Sequence, residues 1–250
     1  MKRSLYLVGA LLSLAILLAA HPALAQSVTL DLGGNTNGSA TGRIVQLLML
    51  LTVLSLAPAI LVTVTSFTRI VVVLSFLRNA LGTQQTPPNF VLVSLALFLT
   101  GFVMAPTLQT AYDNGIAPLI AERITEQEAF ERTAAPLHDF MMHNVRNQDL
   151  QLFAGMAKVD TAVGDPKDIS LRVVVPAFMI SELRRSFEIG FLLFLPFLII
   201  DLLIASILMS MGMMMLPPVT ISLPFKLIFF VLVDGWYLVA GSLVQSFGTG

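Results

Sequence analysis

Cysteine is absent from the 250-residue sequence, and charged side chains are scarce, at 12% of residues. Without cysteine the chain has neither a disulfide scaffold nor a thiolate metal site. The formal net charge is −1 and no basic tract occurs, which argues against nucleic acid as a partner. The sequence also lacks a phosphate-binding Gly-rich loop with its Lys, a nucleophile elbow and a zinc-protease helix motif. These absences argue against ATP hydrolysis and against enzymatic activity in general.

Long hydrophobic segments dominate the chain instead. Hydrophobic residues make up 56% of the sequence, which exceeds the usual range of soluble domains. About four segments have the length and apolarity of membrane helices, which need about 20 residues to cross a bilayer. We therefore predict an all-α membrane protein made of helical hairpins. The first hydrophobic hairpin spans residues 44–109, a small helical region spans 110–186, and the second hairpin spans 187–250.

The first 25 residues have the pattern of a cleavable secretory signal peptide. A basic start at Lys2 is followed by an apolar middle, Leu5–Ala20, and a small-residue exit, Ala23–Ala25. The alternative is an uncleaved first helix, although about 16 apolar residues are slightly short of a full crossing. Residues 26–43 are rich in Gly, Asn, Ser and Thr, so we predict a flexible N-terminal lead.

Most of the charged residues lie in region 110–186, which we predict to form two or three amphipathic helices. A cleaved signal peptide followed by membrane crossings would place this region in the periplasm. His138 and His143 lie five positions apart, which is poor spacing for a shared metal on a helix, and no carboxylate completes a ligand set. We therefore expect surface histidines here rather than a metal site.

Charged residues also interrupt the hydrophobic segments, at Arg69, Asp201, Lys226 and Asp234. A charge at bilayer depth costs about 3 kcal/mol by insertion scales, so each needs a partner or a hydrated cavity. Folding the second hairpin about the middle of its connector places Asp201 opposite Lys226, which predicts a salt bridge or a shared hydrated site. The alternatives are basic side chains that snorkel to the membrane surface and acidic side chains that pack against partner subunits.

A methionine-rich connector, Met209–Pro218, joins the two arms of the second hairpin. Pro217 and Pro218 remove backbone donors, so the connector cannot be helical to its end. Methionine side chains are unbranched and polarizable, and Met211 with Met213–Met215 could therefore seal a gap of irregular shape. The alternative is that these side chains only fill space between two membrane helices.

Three blocks of the sequence carry a specific combination of motifs. They read TSFTR at 65–69 with LRNALGTQQTPPN at 77–89, PAFMISEL at 176–183 with FEIGF at 187–191, and MGMMMLPP at 211–218 with LPFK at 223–226 and DGW at 234–236. This combination resembles the FliP/SctR family of type III secretion export-gate subunits over residues 43–247. Ser186 stands where that family usually has Gly or Ala, a departure that bears on packing.

The resemblance implies an assembly and a location. Family members form a ring of about five copies, completed by FliQ and FliR subunits and joined by other components of the export apparatus, around a protein-conducting pore. The assembly belongs to the flagellar basal body in the bacterial inner membrane. Its hairpins lie largely above the bilayer plane, so the apparent spans need not cross lipid. No cofactor is implied.

The resemblance also implies roles for particular residues. The family's methionine loop corresponds to Met213, Met214 and Met215, which with Met211 would line the pore as a gasket. A second set of residues would hold the assembly together through buried charges: Arg69, Glu182, Asp201, Lys226 and Asp234.

The implied function is passive export of unfolded flagellar proteins through a constriction that yields to the chain and closes around it. One alternative is the export gate of an injectisome. Another is a secondary carrier, in which Arg69, Asp201 and Asp234 would form a substrate or proton site at the bilayer midplane. A carrier would normally have inverted repeats and more spans than this sequence offers.

Overall fold

A computed structural model of the chain describes residues 40–83, 85–158, 169–213 and 215–248, and within these ranges the regular elements are all helices. The chain divides into two units, Met1–Leu51 and Thr52–Gly250. The first unit is described only from residue 40 onward, as the beginning of a helix. The predicted signal peptide and nearly all of the N-terminal lead lie outside the described residues.

The helices are labelled in chain order. They are α1 (Ala40–Val64), α2 (Phe67–Leu81), α3 (Asn89–Ala111), a π-helical turn (Tyr112–Ile116), α4 (Ala117–Ile120), α5 (Glu126–Asn144), α6 (Asn147–Ala157), α7 (Leu171–Ser210), α8 (Pro218–Leu232) and α9 (Gly235–Gln245).

Among the described residues, two continuous helices have the length and apolarity to cross a membrane, Asn89–Ile120 and Leu171–Ser210. The number rises to four if two bent pairs each count as one span, namely Leu47–Leu56 with Pro58–Val64 and Pro218–Leu232 with Gly235–Gln245. The chain is thus an all-α membrane protein, which confirms the fold class predicted from its composition.

Helix α7 is longer than the sequence pattern suggested. It is a single helix of 40 residues that passes through Pro176 and Pro196, so the predicted boundary at residue 186 falls inside it. An interior proline removes one backbone hydrogen bond and bends a helix, but the flanking turns keep their own bonds. For the same reason α3 continues past Pro106.

The second arm of the second hairpin is broken. Helix α8 begins at Pro218, a favoured first position because proline has no N–H to leave unpaired. It is followed by α9 at an angle of 64°. Asp234 occupies the break in a left-handed conformation, with φ +51°, which Asp tolerates better than most residues. The second arm of the predicted hairpin 187–250 is therefore two helices and not one.

Helix α2 lies at the centre of the main hydrophobic core. Its buried residues Ile70 and Leu74 pack in one cluster with Phe197 of α7, Phe230 of α8 and Leu243 of α9. A second cluster joins α5 and α6 to the first turns of α7 through buried residues that include Met141, Leu150, Val174 and Phe178. Helix α7 takes part in both clusters, so it fixes the hairpin arms against the small helical region.

Candidate functional site

Arg69 on α2 and Glu182 on α7 form a fully buried ion pair. Arg69 Nε donates to Glu182 Oε2 at 2.8 Å, and Arg69 Nη2 donates to Glu182 Oε1. This two-point arrangement matches the planar guanidinium to the carboxylate and is the stronger kind of charged hydrogen bond. Arg69 is therefore paired inside the protein and does not snorkel to a membrane surface.

The guanidinium of Arg69 also contacts the residues that follow α9. Arg69 Nη1 donates to the backbone oxygen and to the hydroxyl of Ser246, both at 2.9 Å. The Arg69 Cζ atom lies 3.6 Å from the ring centroid of Phe247, a cation–π contact. Phe247 also stacks on Phe140 of α5, with ring centroids 6.1 Å apart. One arginine thus connects α2, α7 and the segment that follows α9.

Ser186, the residue that departs from the family pattern, lies one turn beyond Glu182 and is fully buried. Its hydroxyl donates to the Glu182 backbone oxygen at 2.7 Å, so the added polar group is satisfied within its own helix.

Asp201 on α7 and Lys226 on α8 form the second ion pair, at the position where the hairpin register places them opposite each other. Lys226 Nζ lies 2.6 Å from Asp201 Oδ2, and the Ser222 hydroxyl donates to Asp201 Oδ1 at 2.5 Å. Lys226 is buried, whereas Asp201 is partly exposed. The pair ties together the two arms of the hairpin that carries the methionine connector.

Lys226 also reaches a third helix. Its ammonium donates to the backbone oxygen of Ala80 at 3.1 Å. Ala80 lies in the last turn of α2, where helix carbonyls have no partner within the helix and carry partial negative charge. The Lys226 ammonium therefore provides a hydrogen bond to a backbone oxygen at the end of α2 and a countercharge for the Asp201 carboxylate.

The methionine connector begins with a helix stop of defined geometry. The Gly212 N–H donates to the Met209 oxygen at 3.1 Å, and the Met213 N–H donates to the Leu208 oxygen at 3.0 Å. Gly212 has φ +74°. These two bonds and the left-handed glycine form a Schellman motif, which ends α7 and reverses the chain.

The described methionine side chains on both sides of Gly212 are exposed. Met211 is 62% exposed, Met213 44% and Met215 98%. Met214 lies outside the described residues. Within the described part of the chain, these three thioethers therefore fill no core, unlike Met104 and Met141, which are fully buried. The simple space-filling alternative does not describe them within a single chain.

Asp234, grouped with the charges that would be buried in the assembly, is exposed in the single chain at the break between α8 and α9. Its carboxylate has no hydrogen-bond or ion-pair partner among the described residues, and its burial in an assembly stays a prediction. One expectation differs from the structure. His138, expected at the surface, is buried, and its Nε2 donates to the Ile169 oxygen at 2.8 Å. A buried imidazole needs such a partner, and this bond joins α5 to the start of α7.

Three residues of the site were not predicted from the sequence, namely Ser222, Ser246 and Phe247. Ser222 lies four positions before Lys226, so helical spacing would have placed it on the same face. The contacts of Arg69 with Glu182, Ser246 and Phe247 had no such signal, because Arg69 and Glu182 are 113 positions apart and Arg69 and Ser246 are 177.

The fold and the site together define an all-helical membrane protein in which buried ion pairs hold a hairpin with an exposed methionine tip. The model of the FliP family matches residues 50–243. The chain belongs to the FliP family.

Relatives from distant bacteria support this assignment. The chain is 58% identical over 248 residues to the flagellar biosynthetic protein FliP of Caulobacter vibrioides, with 98% of this chain and 91% of the relative covered. It is 57% identical over 203 residues to the protein of that name from Bacillus subtilis, covering 81% and 91%. For the Aquifex aeolicus protein the values are 52% over 204 residues, covering 81% and 85%. The chain is therefore a member of a family of flagellar biosynthetic proteins, and it has apolar helices able to cross a membrane.

Proposed function

We propose that this chain is a pore-forming subunit of the flagellar protein export gate. About five copies assemble with FliQ- and FliR-type subunits in the bacterial inner membrane. Together they surround a channel for unfolded flagellar proteins, and methionines at the hairpin tips close it. The single observation that carries this proposal is the exposed cluster of Met211, Met213 and Met215 at a hairpin tip of defined geometry.

Thioether side chains suit a deformable seal. Each methionine has three rotatable side-chain bonds and no branch, so a collar of methionines can pack against itself and then against a passing chain of any sequence. The Schellman stop at Gly212 and the Asp201–Lys226 pair hold the two ends of the tip, while the side chains between them remain free to rearrange. This combination of a fixed frame and adaptable side chains is what the proposed gasket requires.

The exposed apolar surface of the chain supports an assembly. Large hydrophobic side chains are exposed along α1, α3, α7 and α8, among them Leu54, Phe98, Phe191 and Val231. Patches of this kind mark contacts with other subunits or with lipid. Copies and partner subunits would cover part of this surface, and membrane lipid the rest.

The contacts of the charged residues favour a gate over a secondary carrier. Arg69 is neutralised by Glu182, and Asp201 by Lys226, within one chain. These two pairs leave neither Arg69 nor Asp201 available for a common substrate site with Asp234. The names of the relatives likewise favour flagellar export over an injectisome, because each is a flagellar biosynthetic protein.

Cysteine cross-linking in the assembled gate tests the proposal directly, because the natural chain has no cysteine. A Met215→Cys chain is expressed with an export substrate that carries one cysteine and is stalled by a folded domain. We expect a disulfide between the tip and the stalled substrate. Met156→Cys, an exposed methionine on α6, is the matched control and should not cross-link. Equal cross-linking at both positions, or none at Met215→Cys in an intact complex, would contradict a tip that lines the channel.

A further inference from the structure

A cavity of about 360 Å³ lies beside the Arg69–Glu182 pair, and three of its six lining residues are arginines. Its walls are formed by Arg69, Arg146, Arg185, Glu188, Ile189 and Ser246. These residues come from α2, from the junction of α5 and α6, from α7, and from the segment after α9. Arg69 is explained by its pair with Glu182. The guanidinium groups of Arg146 and Arg185 have no part in the two buried ion pairs or the methionine tip, and together they would attract an anion.

The charges around this cavity do not balance. Arg69 is paired with Glu182, and Glu188 accepts a hydrogen bond from Arg184 Nε at 2.9 Å. Arg185 has no hydrogen bond or salt bridge within the described part of the chain. Arg146 lies 4.0 Å from the Asp149 carboxylate, so the positive charge left over is that of Arg185.

Arg146 contributes a hydrogen-bond donor that has no acceptor among the described residues. Its Nη2 donates to Gln148 Oε1 at 2.9 Å, while Nη1 lies 4.0 Å from Asp149 Oδ2 and is buried without a hydrogen-bond partner. An acceptor oxygen supplied by a ligand would satisfy a group whose isolation otherwise costs free energy.

The surface next to the cavity is apolar and follows the same face of α7. Leu192, Ile199 and Leu203 recur at helical spacing from Arg185, and all three are exposed. From Arg185 to Ile199 this column extends about 21 Å along the helix, at about 1.5 Å per residue. That length covers the hydrocarbon of one leaflet, which is about 15 Å thick. A ligand that fits both features has an anionic head and long apolar chains.

We propose that the cavity binds the headgroup of an anionic phospholipid, whose acyl chains lie along the Leu192–Ile199–Leu203 column. The phosphate oxygens accept hydrogen bonds from Arg185 and Arg146, and Ile189 lines the path from the headgroup to the chains. A neighbouring subunit that supplies both a carboxylate and apolar side chains is the competing occupant, and measurements on the assembled complex distinguish it from lipid. The proposed lipid site does not require the proposed pore.

Native mass spectrometry of the purified full-length chain in neutral detergent tests this site. Phosphatidylglycerol and phosphatidylcholine with the same acyl chains are titrated in parallel. We expect one retained phosphatidylglycerol per chain, bound at least fivefold more tightly than phosphatidylcholine. Equal affinity for the two lipids would overturn the proposal, because the cavity would then not recognise the anionic charge.

Substitutions of basic and acidic residues in the cavity should change the affinity for phosphatidylglycerol in opposite directions. Arg185→Gln should weaken phosphatidylglycerol binding about fivefold, the factor for about 1 kcal/mol per basic residue. Arg185→Lys should restore most of it, and Glu188→Gln should strengthen binding because it removes the one acidic residue in the lining. Arg172→Gln, an exposed arginine of α7 outside the cavity, is the charge-matched control and should have no effect. Equal effects of Arg185→Gln and Arg172→Gln would overturn the assignment.

Two further experiments distinguish a bound lipid from other anions. Millimolar inorganic phosphate should not displace phosphatidylglycerol, because it lacks acyl chains; full displacement would identify a site for small soluble anions instead. The assembled complex is then tested in the same way. If it retains no phosphatidylglycerol, yet Arg185→Gln loosens the association of its subunits, the occupant is an acidic side chain of a neighbour and the lipid proposal is wrong.

Discussion

Asp201 and Lys226, on opposite arms of one hairpin, are joined by a contact of 2.6 Å between Oδ2 and Nζ. The contact lies within a few helical turns of the methionine tip on both arms. Because Lys226 also holds the Ala80 oxygen at the end of α2, the position of the tip is linked to the centre of the core. The tip is thus fixed at its base although its side chains are exposed.

The pairing predicts a non-additive double-mutant cycle. Asp201→Ala should reduce assembly or export because it leaves the buried Lys226 ammonium with only the Ala80 oxygen. Removing one partner of a buried pair costs about 3–5 kcal/mol, and the partial exposure of Asp201 puts the loss at the lower end. Lys226→Ala should have a similar effect, and the double variant should be no worse than either single one. Thermal unfolding in detergent and motility measure both effects; simple addition of the two losses would exclude the pairing.

A second prediction concerns the fully buried pair. Arg69→Met or Glu182→Leu alone should lower the free energy of unfolding by about 3–5 kcal/mol, because each leaves an uncompensated buried charge. Arg69→Met with Glu182→Leu removes both charges and should recover most of that stability. The double variant still lacks the bonds of Arg69 to Ser246, so the segment after α9 should show faster amide hydrogen exchange than in the natural chain. Unchanged exchange there would mean that Arg69 does not hold this segment.

A third prediction follows from the sharp bend after α8. A Cβ atom at Gly235 would lie 2.1 Å from the Phe230 ring, whereas one at Gly241 on the same helix would meet nothing within 4 Å. Gly235→Ala should therefore destabilise the protein by about 1–3 kcal/mol through overpacking. Gly241→Ala is the matched control and should be neutral or slightly stabilising, because alanine favours helix more than glycine. Equal melting temperatures for the two variants would show that the ring of Phe230 moves aside without cost.

The fold class could be predicted because hydrophobic content and segment length depend on local sequence alone. The opposition of Asp201 and Lys226 could also be predicted, since two helical arms joined by a short connector have a nearly determined register. The Arg69–Glu182 pair could not, because only the tertiary fold brings α2 against α7. The break at Asp234 and the continuity of α7 through Pro176 and Pro196 were missed for a related reason. At these positions the packing of the whole fold decides whether a helix bends, ends or continues. The identity of one residue is not enough to predict it.

The methionine tip was also predicted in part from the sequence and in part seen only in the structure. Its composition and its prolines indicated a bent, sulfur-rich connector, and the structure adds the Schellman stop at Gly212 and the exposure of Met211, Met213 and Met215. What these side chains face in an assembly depends on other subunits, so the proposed gasket would be a property of the complex and could not be read from a single chain.

The most direct measurement of the central claim is ion conductance through the assembled gate in a membrane. We predict that Met213→Ala, Met214→Ala and Met215→Ala, combined in one chain, raise the resting conductance well above that of the natural gate. The combined variant should assemble normally, and the control Met156→Ala should remain at background. If the triple variant assembles and its conductance also stays at background, the methionines do not seal the channel and the account of this protein as a gasketed gate is wrong.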